Sequence, residues 1–287
     1  MRFVLLGIGS LLAILFIVFL SKGRKYEYLV MNLDSNQFPL NEIYSVGFVW
    51  STGKLFKLKG KTSSSLKTEA SLLYEPQYAE YYANVVWAQT LTLVHFFLTM
   101  TFLCAGILFN LALLMLTVGI FMSVLVAVYC LENMRNMLEN RTKECEYELP
   151  EVVSTMAVLV NSGMMLRDSW NMIAANGTGE FYRLMRKASK KMENGISDAD
   201  AIFLLGKESN STEIKKFVSA LLQNIEKGGT ELAGFLMRQS SELWNTRRQR
   251  MLQEGEKAAT KLLLPIVLIF VGIIIIVMTA AFAGALF

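Results

Sequence analysis

The sequence predicts an all-α, multi-pass membrane protein with about four transmembrane helices and a cytosolic helical bundle. No Asp, Glu, Lys or Arg occurs in the 51 residues 81–131, nor in the 26 residues 262–287. Such uncharged stretches are typical of segments surrounded by lipid. The remaining long segments show the apolar spacing of helices rather than the alternation of strands.

The first span is predicted over residues 3–20. As a helix they measure about 27 Å at roughly 1.5 Å per residue, close to the thickness of a bilayer core. Arg2 precedes this stretch and a basic cluster, Lys22, Arg24 and Lys25, follows it. A cleaved signal peptide is the alternative, but the long apolar core and the lack of an Ala-x-Ala site favour an uncleaved anchor.

The central uncharged stretch is too long to cross once. A single helix over residues 91–130 would measure roughly 60 Å, so we predict a helical hairpin that turns near Asn110. The terminal stretch is long enough for one tilted span, with Pro265 in its first turn, where a missing N–H costs least. The predicted boundaries are 1–21 for the first span, 22–88 for a cytosolic segment, 89–131 for the hairpin, 132–261 for the cytosolic bundle and 262–287 for the fourth span.

The distribution of charge predicts the orientation. The hairpin places residues 21–90 and 131–261 on the same side of the membrane, and these two segments contain all of the basic residues except Arg2. Cytoplasmic segments carry the excess of Lys and Arg, so both segments are predicted to lie in the cytoplasm. The net charge of +4 is too small and too evenly mixed to indicate nucleic acid as a partner.

The segment 132–261 is predicted to form several short helices. In 211–227 the apolar residues repeat with a period near 3.6 from Ile214 to Ile225. The first predicted helix begins at Pro150 and ends at Asn161 to Gly163, and the second covers 166–175 with Gly177 as a left-handed cap. The next three cover 181–192, 197–205 with Ser197 as N-cap, and 211–227, which ends before Gly228 and Gly229. A last helix begins at Thr230 and runs into the final span.

The segment 22–88 is less regular. Residues 36–64 show no firm pattern, whereas a helix is predicted from Ser65, with a break near Pro76. Aromatic residues are frequent where this segment approaches the membrane, and an interfacial belt is the favoured interpretation. These residues are Tyr74, Tyr78, Tyr81, Tyr82 and Trp87.

No motif indicates catalysis, a cofactor or a metal. The phosphate-binding pattern GxxxxGK[ST] does not occur, and the one histidine, His95, has no second histidine with which to bind zinc. We interpret His95 as a neutral side chain that hydrogen-bonds between helices, with a proton relay or a ligand-binding role as the alternative. The acidic residues Glu144, Glu146, Glu148 and Glu151 are interpreted as a solvated face rather than a cation site.

A series of short motifs follows the hairpin. In order they are Leu149-Pro150-Glu151, the run 159–166 (LVNSGMML), Met192 to Gly195 (MENG), Glu226 to Gly229 (EKGG), and Arg247-Arg248 ahead of Pro265. With a hairpin before and one span after, this order resembles the F domain of the type II secretion family over roughly 149–280. It is most similar to the inner-membrane platform proteins of tight-adherence (Tad or Flp) pili, because only one such domain is present.

The resemblance implies a non-enzymatic platform in the bacterial inner membrane that couples a cytosolic ring ATPase to pilin assembly. Its implied partners are the ATPase, pilin subunits, and a second platform protein or another copy of the chain. We predict that basic residues bind the ATPase, with the last three equally able to meet anionic membrane lipid. These residues are Arg183, Arg186, Lys187, Lys190, Lys191, Arg247, Arg248 and Arg250.

Three other classes of protein are alternatives to a platform. A transporter or channel subunit is the main alternative. An intramembrane enzyme such as a peptidase needs paired catalytic groups in the spans, and a signalling receptor needs a sensing domain outside the membrane. The sequence offers neither of these features.

Overall fold

The computed structural model describes residues 2–31, 33–34, 37–53, 56–225 and 229–285. The protein is 89% helical, and no strand occurs in these ranges. Four helices are long and apolar enough to cross a membrane: they lie within Arg2–Val30, Pro76–Ile107, Phe109–Asn161 and Glu231–Thr279. The predicted fold class is therefore confirmed. Two compact units, residues 1–142 and 143–287, make up the chain.

The first unit is built on two long antiparallel helices, α1 (Arg2–Gly23) and α5 (Ala79–Ile107). Glycines let them approach closely: a Cβ on Gly106 would lie 2.7 Å from the Leu6 side chain, and one on Gly9 would lie 3.0 Å from Leu103. Small residues of this kind are typical of helix contacts in membranes. The shorter helices of this unit are α2 (Glu27–Val30), α3 (Ser45–Thr52) and α4 (Gly60–Leu73).

The predicted hairpin is present. Helix α5 ends at Ile107, a short 3₁₀ turn covers Phe109–Leu111, and α6 (Ala112–Asn161) begins directly after it. Gly119 of α6 lies against Thr101 of α5, and these two positions are symmetric about Asn110. The chain therefore folds back at the residue that the sequence indicated.

Helix α3 lies within residues 36–64, for which no firm structure is predicted. Its backbone packs directly on α5: a Cβ on Gly47 would lie 1.9 Å from the Ala88 carbonyl oxygen. The Gly47 N–H donates to Thr92 Oγ1 at 2.9 Å. The helix thus depends on a partner about 40 residues away, which local spacing of apolar residues does not reveal.

Most of the aromatic residues near the start of α5 pack against protein. The ring of Tyr74 stacks on that of Tyr82 with centroids 3.5 Å apart, and Trp87 Nε1 donates to the Phe56 carbonyl at 2.7 Å. Tyr81 donates its hydroxyl to the Leu29 carbonyl. Tyr78 is exposed. The break predicted near Pro76 is confirmed, since a 3₁₀ turn over Pro76–Tyr78 separates α4 from α5.

The second unit contains the end of α6 and five further helices around one apolar core. Trp170, Phe181 and Leu221 are among its fully enclosed members. The helices predicted from residue 166 onward, including the uninterrupted last helix, are confirmed. Their bounds are α7 (Leu166–Asn176), α8 (Glu180–Glu193), α9 (Asp198–Glu208), α10 (Thr212–Ile225) and α11 (Gly229–Ala285).

Three local predictions in this unit were wrong. Pro265 lies inside α11 and not in the first turn of a helix, so its missing N–H removes one hydrogen bond from the helix. Pro150 does not begin a helix but lies inside α6, where proline costs about 3 kcal/mol; complete burial of Leu149 and Val153 on either side of it offsets that cost. Gly177 has extended backbone angles rather than left-handed ones. Glycine is required at position 177 for lack of space, because a Cβ there would lie 1.9 Å from the Tyr182 ring.

Two other glycines that were predicted to end helices act as left-handed C-terminal caps. Gly163 and Gly195 follow α6 and α8 with φ of +96° and +90°. In this region glycine avoids the steric cost of a side chain. Gly228, predicted as part of the stop after α10, lies outside the described residues.

Candidate functional site

Arg250 ties α11 to both α6 and α10. Its guanidinium pairs with the Glu213 carboxylate and lies 3.6 Å from Glu146 Oε2. Ser211 Oγ donates to Glu146 Oε1 at 2.5 Å and accepts from the N–H groups of Glu213 and Ile214 at 3.1 and 3.2 Å. Ser211 is thus the N-cap of α10. One polar network fixes the start of α10 against two other helices.

Arg247 makes a second connection one turn earlier along α11. Its guanidinium lies 3.6 Å above the Tyr147 ring and 5.0 Å from the Trp244 ring, and Nη1 donates to the Tyr147 carbonyl at 3.3 Å. The Trp244 indole N–H donates to Ser154 Oγ at 2.7 Å. We call the combined set the α11 clamp: Glu146, Tyr147, Ser154, Ser211, Glu213, Trp244, Arg247 and Arg250.

The α11 clamp lies where α11 leaves the bundle. Before it, Leu236 and Leu243 are buried in the core. After it, every residue of 251–279 is exposed within the protein except Gly272, which is half-buried. The clamp therefore contacts α11 directly before its exposed stretch, which continues into the apolar segment.

The basic residues predicted to bind a partner are mostly engaged within the bundle. Arg183 pairs with Glu180 at 2.8 Å, and both Lys187 and Lys191 pair with Glu208, at 2.9 and 2.7 Å. Arg247 and Arg250 belong to the α11 clamp. Among the described residues Lys190 and Arg248 are exposed and have no ion-pair partner.

Arg186 closes the C-terminal end of α7. Its Nη1 donates to the carbonyl oxygens of Ala174 and Gly177, each at 2.8 Å. The last carbonyls of a helix have no partner within the helix, and a cation there also interacts favourably with the helix dipole. Arg186 therefore positions α7 against α8.

Glu208 connects α9 to α8 through the two lysines. Burial by itself raises the pKa of a carboxyl, but hydrogen bonds from Lys191 and Lys187 outweigh burial and leave the pKa of Glu208 below its ordinary value. The carboxylate is thus bound more favourably in the folded protein than in the unfolded one. Its stabilisation is present above the ordinary pKa of about 4.3 and is lost as the pH falls through the lower, folded pKa.

We expect Glu208→Gln to lower the free energy of unfolding by about 1 kcal/mol at pH 7, where Lys187 and Lys191 lose their shared carboxylate. The difference from wild type should shrink as the pH falls below the ordinary pKa of about 4.3 and should vanish below the lower pKa of the folded carboxyl, where wild-type Glu208 is protonated too. Thermal unfolding of the full chain in detergent at pH 7 and through this acidic range measures the difference. Glu193→Gln, an exposed residue of α8, is the matched control, and equal losses in both variants would contradict the prediction.

The acidic stretch of α6 positions neighbouring helices. Glu148 accepts the Phe181 N–H at 2.8 Å at the start of α8. Burial raises the pKa of the Glu148 carboxyl, although hydrogen bonds from the backbone N–H groups of Phe181 and Glu180 act to lower it. Glu146 belongs to the α11 clamp. In the part of the chain that the structure describes, no group of three or more His, Cys, Asp or Glu side chains is arranged to hold a metal ion.

His95 lies in the first unit between three helices. Its Nδ1 accepts the Trp50 indole N–H at 3.0 Å, so Nε2, 3.1 Å from the Leu12 carbonyl, carries the proton. Each nitrogen of the neutral ring therefore takes part in one hydrogen bond. This geometry agrees with the interpretation of His95 as a hydrogen-bonding residue between helices.

Sequence reasoning missed most of the α11 clamp. The clamp joins residues from 37 to about 104 positions apart, such as Glu213 with Arg250 and Glu146 with Arg250. One local signal was available: Ser211 followed by Glu213 at the start of a strongly periodic helix is a typical N-terminus. The aromatic partners of Arg247 carry no comparable signal.

Residues 152–283 match the family described as type II secretion system (T2SS), protein F. No curated protein and no solved structure matches the chain. The matched region runs from α6 through the bundle to the apolar end of α11. The match supports the F family for this part of the chain and does not specify the tight-adherence branch.

Proposed function

We propose that this protein is a non-enzymatic platform of a tight-adherence or related pilus, located in the bacterial inner membrane, that couples a cytosolic ring ATPase to pilin assembly. The observation that carries the proposal is the F-family match, which covers both the bundle and the final apolar helix. An F domain implies a platform of secretion or pilus machinery. Pilin subunits and a second platform protein or copy are its proposed neighbours in the membrane.

The continuity of α11 supports a mechanical role. The same helix that is buried in the bundle at Leu236 continues without a break into the apolar segment. A movement of the bundle would therefore be passed directly to the membrane segment, with the α11 clamp as the joint. In this proposal residues 22–88 and 132–261 face the cytoplasm.

The proposal reduces the number of basic residues that are expected to face a partner. Arg186, Lys187 and Lys191 join neighbouring helices, and Arg183 pairs with Glu180 of its own helix, so these four charges already have partners within the bundle. Lys190 and Arg248 are the two that we propose to face the ATPase or anionic lipid. Binding by the other six predicted residues remains a prediction.

Deletion of the gene in its host should abolish surface pilin while leaving the amount of pilin in the membrane unchanged, because the platform acts after insertion of pilin. Immunoblots of sheared surface fractions and of membranes measure both quantities, and the plasmid-borne wild-type gene should restore filaments. Normal filaments in the deletion strain would contradict the proposal. Solute flux through proteoliposomes that contain only the purified chain would instead support a transporter.

A further inference from the structure

Two cavities lie beside α11 in the second unit, one toward α10 and one toward α6. The volume is about 560 Å³ on the α10 side and about 380 Å³ on the α6 side. Leu243 and Arg250 of α11 line both cavities and therefore lie between them. Well-packed interiors leave few voids larger than a water molecule, so α11 is not close-packed against either helix at this level.

The N-terminal part of α11 is held more firmly than the part beside the cavities. The Phe235 ring stacks on the Phe217 ring of α10 with centroids 6.4 Å apart, and Leu236 is completely buried in the core. Beyond the cavities, residues 251–261 are exposed. The stretch of α11 between Leu243 and Arg250 therefore follows a fixed end and has free space toward two neighbouring helices.

Each cavity has opposite charges on its two walls. Lys216 of α10 and Glu242 of α11 line the first cavity, and Lys143 of α6 and Glu254 of α11 line the second. All four side chains are exposed, and none of them forms an ion pair in the part of the chain that the structure describes. Attraction across either cavity would draw α11 toward that wall.

Arg250 is placed to serve α11 on both sides. Its guanidinium pairs with Glu213 of α10, whereas Glu146 Oε2 of α6 lies 3.6 Å away. The second distance is longer than the roughly 2.7–2.9 Å of a direct charged hydrogen bond, so in this structure Arg250 is closer to its α10 partner. One cation between carboxylates of two helices can keep a partner whichever way α11 moves.

We propose that α11 is a two-position lever. In one position it lies closer to α10 and Lys216 pairs with Glu242, and in the other it lies closer to α6 and Lys143 pairs with Glu254, with Arg250 between the two. Packed elements with two discrete arrangements convert a small change of contacts into a movement. Because α11 is continuous with its apolar segment, each position gives that segment a different tilt. This inference deepens the proposed mechanical role and rests on it for its purpose, yet its test needs only the chain itself.

Distances between pairs of spin labels on the full chain in nanodiscs measure the two positions. One label is attached at Gln249→Cys of α11, and the other at Lys215→Cys of α10 or, in a second sample, at Glu144→Cys of α6. These three positions are exposed and line neither cavity. The exposed native cysteine, Cys104, is changed to serine, and the other two native cysteines are buried. We expect two distances in each sample.

Charge reversal on either wall should shift the two populations in opposite directions. Lys216→Glu places like charges across the first cavity, so the ratio of the two populations should move toward the α6 position by about fivefold. Lys143→Glu should move the ratio toward the α10 position by a similar factor. The swapped variant Lys216→Glu/Glu242→Lys restores an opposite pair across the first cavity and should return to the wild-type ratio.

Arg238→Glu is the matched control, because it makes the same change of charge at an exposed position of α11 outside both cavities. Its distances should equal those of wild type, and all variants should keep the wild-type melting temperature because the substituted side chains are exposed. Opposite shifts in the two wall variants support the lever. A single distance, shifts in the same direction, or an equal shift in the control overturns the lever and leaves the platform function standing. Normal filaments in the deletion strain would overturn the platform function and leave the two measured positions standing.

Discussion

Replacing Trp170 with alanine is expected to lower the free energy of unfolding of the bundle by about 3–5 kcal/mol. The indole is 2% exposed in the core, and its N–H donates to the Met185 carbonyl at 3.3 Å, which joins α7 to α8. Alanine would leave a cavity and would remove this hydrogen bond between the two helices. Typical domains are stable by about 5–15 kcal/mol, so the loss is a large part of the total.

The prediction is measured by thermal unfolding and limited proteolysis of the full chain in detergent. Trp244→Ala is the matched control, because Trp244 is 44% exposed at the edge of the bundle. Its substitution should cost about 1 kcal/mol through the lost hydrogen bond to Ser154 and the contact with Arg247. Equal destabilisation by the two substitutions would show that Trp170 is not a central core residue.

Replacing Arg250 with glutamate is expected to reduce surface pilin by about tenfold while the chain still inserts and folds. The change turns the contacts with Glu146 and Glu213 from attractive to repulsive. These side chains are partly exposed, so we expect the joint to weaken by about 1–2 kcal/mol in total, which is roughly a tenfold change in its opening equilibrium. Arg250 itself is exposed, so the bundle core should remain folded.

Surface pilin is measured as for the deletion strain, with membrane fractionation to check insertion. The charge-swapped variant Glu213→Arg/Arg250→Glu should recover most of the activity, because it restores one oppositely charged pair between α10 and α11. Wild-type filament levels in Arg250→Glu would refute the α11 clamp as the joint. Failure of the swapped variant to recover would show that the effect of Arg250 does not depend on its charge pairing.

Local patterns in the sequence were sufficient for most helices. The repeat from Ile214 to Ile225, the cap at Ser197 and the glycines Gly163 and Gly195 each act through residues within a turn or two, and each behaves as expected. Ser197 Oγ, for example, accepts the Asp200 N–H at 3.1 Å. Such signals are readable because cause and effect are close together in the chain.

Long-range contacts account for what the sequence did not reveal. Helix α3 depends on the fit of Gly47 against Ala88, and Pro150 is tolerated because buried residues flank it. The basic face of α8 was visible as charge, but the sequence could not show that Arg186 reaches the carbonyls at the end of α7. Charge alone does not distinguish a binding residue from one that holds two helices together.

The unbroken course of α11 fixes the angular phase between the bundle and the lipid. Successive residues of an α-helix are about 100° apart around its axis, since one turn takes about 3.6 residues. One residue gained or lost within 251–261 would therefore turn the whole apolar surface by about that angle relative to Arg247 and Arg250. The length of this short connecting stretch thus specifies which side of the membrane helix meets its neighbours, independently of the residues that compose it.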